Sequence, residues 1–446
     1  MPGLGRRGFA FRVRSRPPTA WALLLASGLA LADGARASPP SRAELRRHYE
    51  QAAAAHRGGD YERFLAESRI AQGLAPRSLR ATYNVAGGLA LLGREKEALA
   101  ILDRLARMGV AFDLAKDDDF ARIKASPGFQ GVVKRMAALG AHLGTSALAF
   151  TIAEKDLLPE GIAHDSRTGA FFVSSVHKRK IIRVGADGRA SDFVPEGQDG
   201  LLSTLAMAVD PARRALWVST DGLAQTRGLR KEDEGRSSVV EFDLDSGRRR
   251  RSIGPPDSFP GARFADLTVG PGGELWVADP WSGRLYVLRS GEGAFRVFLE
   301  PGTLDSPQGM AFSPDGSWLF AADYSQGVVR IDPKTAAASL LDVPIDAAVT
   351  GIDGLVWAGG GLVGIQNGIL PHRVTRFRLD AALEHITEVA VLERGNPHFD
   401  EPTLGVVVGD DLYYVANSQY SAFGEDGQAR AELLKDPVIL RLRVRP

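Results

Sequence analysis

Two patterns of hydrophobic and polar positions divide the chain. From Ser41 to about Leu139 the apolar residues fall at helical spacing among Ala, Leu, Arg and Glu, and strand-forming residues are sparse, which predicts paired amphipathic helices. This segment repeats on itself, since Tyr49 and Tyr83, Ala52 and Ala86, Gly59 and Gly93, and Leu65 and Leu99 are each 34 positions apart. After Gly144 the pattern changes to short runs of Val, Phe, Trp and Tyr broken by Gly, Pro and Asp, the signature of strands joined by tight turns. One phrase recurs there: an entry step, an apolar strand, a turn, and a strand ending in a small or acidic residue. It reads "PEGIAHDSRTGAFFVSS", "LAMAVDPARRALWVST", "ADLTVGPGGELWVAD", "PQGMAFSPDGSWLFAAD", "IDGLVWAGGGLVGIQN" and "PTLGVVVGDDLYYVAN". Such copies, spaced by roughly 40 to 60 residues and each followed by further strand-like runs, predict blades that bury their faces only against one another. The fold expected is therefore mainly β: a six-bladed β-propeller over 147–446, preceded by an α-helical segment over 41–140. The last blade is one strand short, and the unassigned "ALAFTIAEK" ahead of the first blade is expected to complete it and close the ring.

Composition removes several chemistries. The chain has 446 residues, a formal net charge of +1 and no cysteine, so disulfides, thiolate metal sites and thiol nucleophiles are excluded. Near-neutral charge gives no electrostatic ground for a nucleic-acid partner, and the run Arg248 to Arg251 reads as a solvated face. Residues 1–37 read as an export signal, with basic residues up to Arg16, the apolar run "WALLLASGLALA" and small-residue steps ending at Ala37. That run is too short to span a bilayer, so the mature protein, starting near Ser38, is expected in the periplasm or outside the cell without stable membrane insertion. "RRGFAF" is loosely similar to a twin-arginine signal. No Gly-x-Ser-x-Gly elbow, phosphate loop or dinucleotide fingerprint occurs.

The candidate chemistry lies at the entry steps. In a propeller the first strand of each blade lines the channel, and the residue opening it points toward one mouth. In register, those positions are Glu160, Leu205, Ala265 followed by Asp266, Gln308, Asp353, and Pro402 beside Glu401. Carboxylates converging from separate blades repel, and need a cation, an arginine or raised pKa values. Oxygen-only ligands suit calcium or magnesium, with zinc and manganese left open. His164 and His177 read as structural, and Asp279 and Asp323 as turn caps. Asn367 and His372, and His398 with Asp400, are further residues within range of the mouth.

Two family resemblances add to this reading. "YNVAGGLALLGREKEALAILDRL" resembles tetratricopeptide repeats, which implies a protein partner for the helical segment or a spacer role. "LPEGIAHD", "SPQGMAFSPDG" and "GIDGLVW" resemble the entry steps of the SMP-30/gluconolactonase (regucalcin-like) six-bladed propellers. That resemblance implies a divalent cation, calcium foremost, held by Glu160, Gln308 and Asp353, which polarises the carbonyl of a lactone or ester substrate. It also implies Asp353 as the general base. Gln308 stands where the family has Asn. "ARFADLTV" is similar to the family's substrate step, which implies that Arg263, with Asp266 and Glu401 beside the ligands, contacts substrate; Ala265 replaces an Asn there. The function expected is an exported metal-dependent hydrolase of the lactonase or esterase type. Two other readings stay open: a periplasmic binding or scaffold protein, and a lyase-like or strictosidine-synthase-like propeller.

Overall fold

The computed structural model describes residues 42–424 and 426–445. The export signal expected over 1–37 lies outside the described residues. Five helices come first: α1 (Arg42–Arg57), α2 (Tyr61–Leu74), α3 (Leu79–Leu91), α4 (Glu95–Arg107) and α5 (Pro127–Ala138). Their ends follow local chemistry. The side chains of Asp60, Ser78 and Ser126 accept from backbone N–H groups in the first turns of α2, α3 and α5. Gly59 and Gly93 end α1 and α3 in left-handed conformations, φ 74° and 75°, which is why glycine recurs at this turn. Small residues in α3 serve packing, since a Cβ on Gly88 would stand 3.1 Å from that of Leu65. The chain's own segment 110–123 covers the faces of α1 and α3. There Phe112 stacks on Tyr83 at 4.0 Å, Asp117 accepts from the Tyr83 hydroxyl at 2.7 Å, and Asp119 meets His56 at 2.6 Å. Among the described residues no helix is long and apolar enough to cross a membrane.

Six four-stranded antiparallel sheets follow, spanning 159–194, 203–253, 267–299, 307–340, 352–394 and 405–443; we number these blades 1 to 6. Only three strands of blade 6 come from the C-terminal end. The fourth is Ala147–Thr151, paired antiparallel with Val438–Arg443 as the outer strand of that sheet, so the ring closes as the strand count predicts.

The entry steps have a shared geometry. In blades 1, 2, 4 and 5 the inner-strand register shifts at the entry residue, between Pro159 and Ile162, Thr204 and Met207, Pro307 and Met310, and Ile352 and Gly354. Such bulges turn one side chain out of the ladder, here toward the channel. The next residue then meets the neighbouring inner strand. A Cβ on Gly161 would lie 2.4 Å from the Leu205 carbonyl, one on Gly309 2.6 Å from that of Asp353, and one on Gly354 2.8 Å from that of Thr403. The Glu-Gly, Gln-Gly and Asp-Gly steps are therefore packing requirements as well as chemistry. This contact also corrects the sixth entry position. Glu401 has φ 59° and turns the chain, so Thr403, rather than Pro402, faces Gly354 and donates its hydroxyl to the Glu160 carbonyl at 2.7 Å.

The helical segment is fixed to the rim of blades 4 and 5. Arg373, only 2% exposed, reaches from blade 5 to the carbonyls of Met108 (3.3 Å) and Gly109 (3.2 Å) while its Nε binds Gln366 at 2.9 Å. Ala111 N–H donates to the Leu370 carbonyl at 2.7 Å, and Arg77 to that of Leu341 at 2.8 Å. The fully buried Glu393 holds the connector to the closing strand through His142 at 2.7 Å and the Ser146 N–H at 2.9 Å.

The axis contact predicts opposite effects for two glycines. Gly161→Ala should cost about 1–3 kcal/mol through overpacking against Leu205. Gly73→Ala, on an exposed part of α2 with open space around it, should gain about 0.5–1 kcal/mol. Urea unfolding of the two variants beside the wild type measures both.

Candidate active site

Loops that join second to third strands, and loops that join one blade to the next, open at the same end of the ring as the entry steps. The site is built from these pieces. Asp353 is buried at the start of the blade 5 inner strand, and its Oδ2 accepts from Asn367 Nδ2 at 2.6 Å. Asn367 follows the second strand of the same blade, and its own Oδ1 accepts from the Tyr324 hydroxyl of blade 4 at 2.9 Å. Burial raises Asp353 from 3.8 to about 6, against the opposing effect of the Asn367 hydrogen bond.

Glu160 and Asp266 approach from blades 1 and 3. Burial first, and then the charges of Asp353 and Asp266, hold the Glu160 carboxyl well above its ordinary range; burial and Asp353 do the same to Asp266. The Glu160 carboxylate has two hydroxyl neighbours, Ser418, whose Oγ donates to Oε2 at 3.4 Å, and the phenol of Tyr420. Both belong to the insertion 418–434 of blade 6, which lies across the mouth. Its Ala422 and Phe423 pack with Leu158, Val176 and Leu205, so the insertion covers the entry steps of blades 1 and 2. Burial, then the charges of Glu160 and Asp353, keep the Tyr420 hydroxyl protonated, and burial with Asp353 does so for Tyr324. Glu401 accepts from the Ser421 N–H at 3.1 Å, and burial pushes it up to about 7.

Glu160, Asp266, Asp353 and Glu401 are thus gathered near one mouth, and among the described residues no lysine, arginine or histidine pairs with them. Also among the described residues, no three His, Asp or Glu side chains alone converge tightly enough to hold a metal. An oxygen-donor site therefore needs an amide. Gln308 opens the inner strand of blade 4, with its Nε2 at 3.5 Å from the Ser306 hydroxyl and its carbonyl oxygen without a hydrogen-bond partner among the described residues. Two unpaired carboxylates and a free amide oxygen match the donor chemistry of a hard divalent cation.

Arg263, which the resemblance implies as a substrate contact, has protein partners of its own. It forms a two-point ion pair with the fully buried Asp221, Nε to Oδ2 at 3.0 Å, and stacks over Trp281 at 4.2 Å. Burial keeps Asp221 above its usual range even beside that charge. His164 packs on Phe171, His177 bonds the Gln225 carbonyl, and Asp279 and Asp323 cap their turns. Burial lowers the pKa of His372, against the opposing charge of Asp400. Tyr324, Tyr420 and Thr403 carry no motif, and only position in the folded ring identifies them.

The fold and the site together define a six-bladed propeller with an oxygen-donor site where its inner strands begin. Residues 158–391, more than half of the chain, match the SMP-30/Gluconolactonase/LRE-like region. The chain belongs to that family. Among curated proteins none matches it. Among solved structures it is similar to a regucalcin, a calcium-binding protein from Agrobacterium tumefaciens, at 16% identity over 68% of this chain and 95% of that one (TM-score 0.48). It is also similar to a gluconolactonase from Xanthomonas campestris, at 19% identity over 69% and 92% (TM-score 0.45). A virginiamycin B lyase from Staphylococcus aureus is similar at 15% identity over 60% and 82% (TM-score 0.44).

The raised carboxyls predict a pH signature in the cation-free protein. Asp353 keeps its proton in the folded state up to about pH 6 but loses it near 3.8 when unfolded, so it lowers stability increasingly as pH rises through that window. The Tm of Asp353→Asn minus that of the wild type, measured in chelator, should therefore grow from pH 4 to about 7 and level off above.

Proposed function

We propose that the protein is a metal-dependent hydrolase of the lactonase or esterase type. What supports this reading most is Asp353: a buried carboxyl with a pKa near neutrality, oriented by Asn367 and set among unpaired oxygen donors in a chain of this family. Glu160, Asp353 and the amide oxygen of Gln308 would hold the cation, calcium foremost. When bound there, a divalent cation supplies Lewis acidity toward an ester carbonyl.

The chain's own groups do the rest. Asp353 takes a proton from the attacking water as the water oxygen bonds to the carbonyl carbon. Asn367, itself fixed by Tyr324, keeps Asp353 from rotating away. The acyl carbon–oxygen bond then breaks, and the proton passes from Asp353 to the departing alkoxide, so a lactone opens to one hydroxy acid. Tyr324 and Tyr420, both kept protonated, donate to Asn367 and to Glu160 and so hold the oxygen donors of the site in place. The insertion excludes bulk water from the Glu160 side of the mouth.

Asp353→Asn should lower kcat by about 10²–10⁴-fold on any lactone the wild type opens. Elemental analysis separates metal binding from chemistry: Glu160→Gln should lose the cation that the purified wild type carries. Equal metal content in the two proteins would remove Glu160 from the ligand set. We also propose export with cleavage near Ser38; mass spectrometry of the N-terminus in the periplasmic fraction should find it there, and an intact Met1 would overturn it.

A further inference from the structure

The mouth is chemically divided. Over blades 4 to 6 it is polar, with Gln308, Asp353, Asn367 and Glu401. Over blades 1 to 3 the apolar entry positions Leu205, itself buried, and Ala265 stand beside the carboxyls of Glu160 and Asp266, which reach the same mouth from blades 1 and 3. The insertion lays Phe423 on Leu205, and Ala265, Leu223 and Leu434 border that cluster partly exposed. This apolar wall begins beside the carboxylates, because Tyr420 belongs to the same cluster and reaches Glu160. The arginine on that side is committed, its guanidinium bound to Asp221 and stacked on Trp281. A hydroxyl-rich ligand entering there would lose water contacts without gaining partners. A hydrocarbon group gains from the same transfer.

The loops agree. Two of the large hydrophobic side chains exposed on the described residues stand on loops at this end of the ring in blades 6 and 3: Leu433 (45% exposed) and Trp281 (38%). Around a mouth that admits an apolar group, such residues extend the apolar contact outward.

We propose that the substrate is a lactone or ester carrying an aliphatic chain, with its carbonyl on the Asp353 side and its chain against the Leu205 and Ala265 wall. This rests on the hydrolase reading for the carbonyl, while the wall stands on its own geometry.

Two measurements keep them apart. Turnover by the metal-loaded wild type is compared for γ-butyrolactone, γ-octalactone and D-glucono-1,5-lactone, and calorimetry measures binding of the same three to Asp353→Ala. With about fourfold per fully buried methylene as the ceiling, kcat/KM should rise at least ~10-fold from the first to the second, and the third should be the poorest. Ala265→Asn, at a partly exposed position, should cut that ratio below ~3-fold without changing the Tm. Chain-length-dependent binding without turnover of any lactone would sink the hydrolase reading and leave the apolar wall. A flat response, or preference for the polyol, would overturn the aliphatic substrate. Neither binding nor turnover would overturn both.

Discussion

Six inner strands have to meet around one axis, and at three of the meeting points there is no room for a Cβ. Gly161, Gly309 and Gly354 each face a backbone atom of the next blade at a distance no other residue tolerates. That constraint makes the entry residue special. With the following residue reduced to glycine and the register shifted by a bulge, Glu160, Gln308 and Asp353 are turned out of the ladder into the channel. The site is a by-product of closing the ring, and its precision is that of the closure.

The arrangement has a cost, and the fold carries it. Carboxyls gathered without a cation are held partly protonated by burial and mutual charge, which takes stability from the folded state near neutral pH. Rigid surroundings offset this. The N-terminal strand closes blade 6, Glu393 ties the connector leading to it, and Arg373 fastens the helical segment over blade 5. A bound cation would act in the same direction by neutralising the cluster.

The sequence revealed what repeats. Six copies of one phrase fix the blade count, the missing strand and the register that brings Glu160, Gln308 and Asp353 to the same level. Where the period fails, so does the reading. The sixth entry step lacks the acid-glycine pair, and the left-handed Glu401 shifts its register to Thr403. Asn367, Tyr324 and Tyr420 sit on loops of unequal length that no period aligns. Arg263 was visible as a cation, but Asp221, which captures it, lies in another blade, 42 positions earlier, and looks like a strand-end turn residue.

The two irregular parts of the chain frame the mouth from opposite sides. The helical segment docks on the rims of blades 4 and 5, whereas the blade 6 insertion crosses toward blades 1 and 2. The helices meet loops and blade rims, and the insertion reaches the first residues of the inner strands of blades 1 and 2. The segment 110–123 fills the helix face that would otherwise be open, so the helices act on the propeller as a fixed wall in this structure. Asp353 and Asn367 lie in the blade that the helical layer backs, and Glu160 lies under a short insertion held through Ala422 and Phe423. The insertion rests on one small cluster and a few loop hydrogen bonds, so the segment with the smaller anchor is the one that covers Glu160.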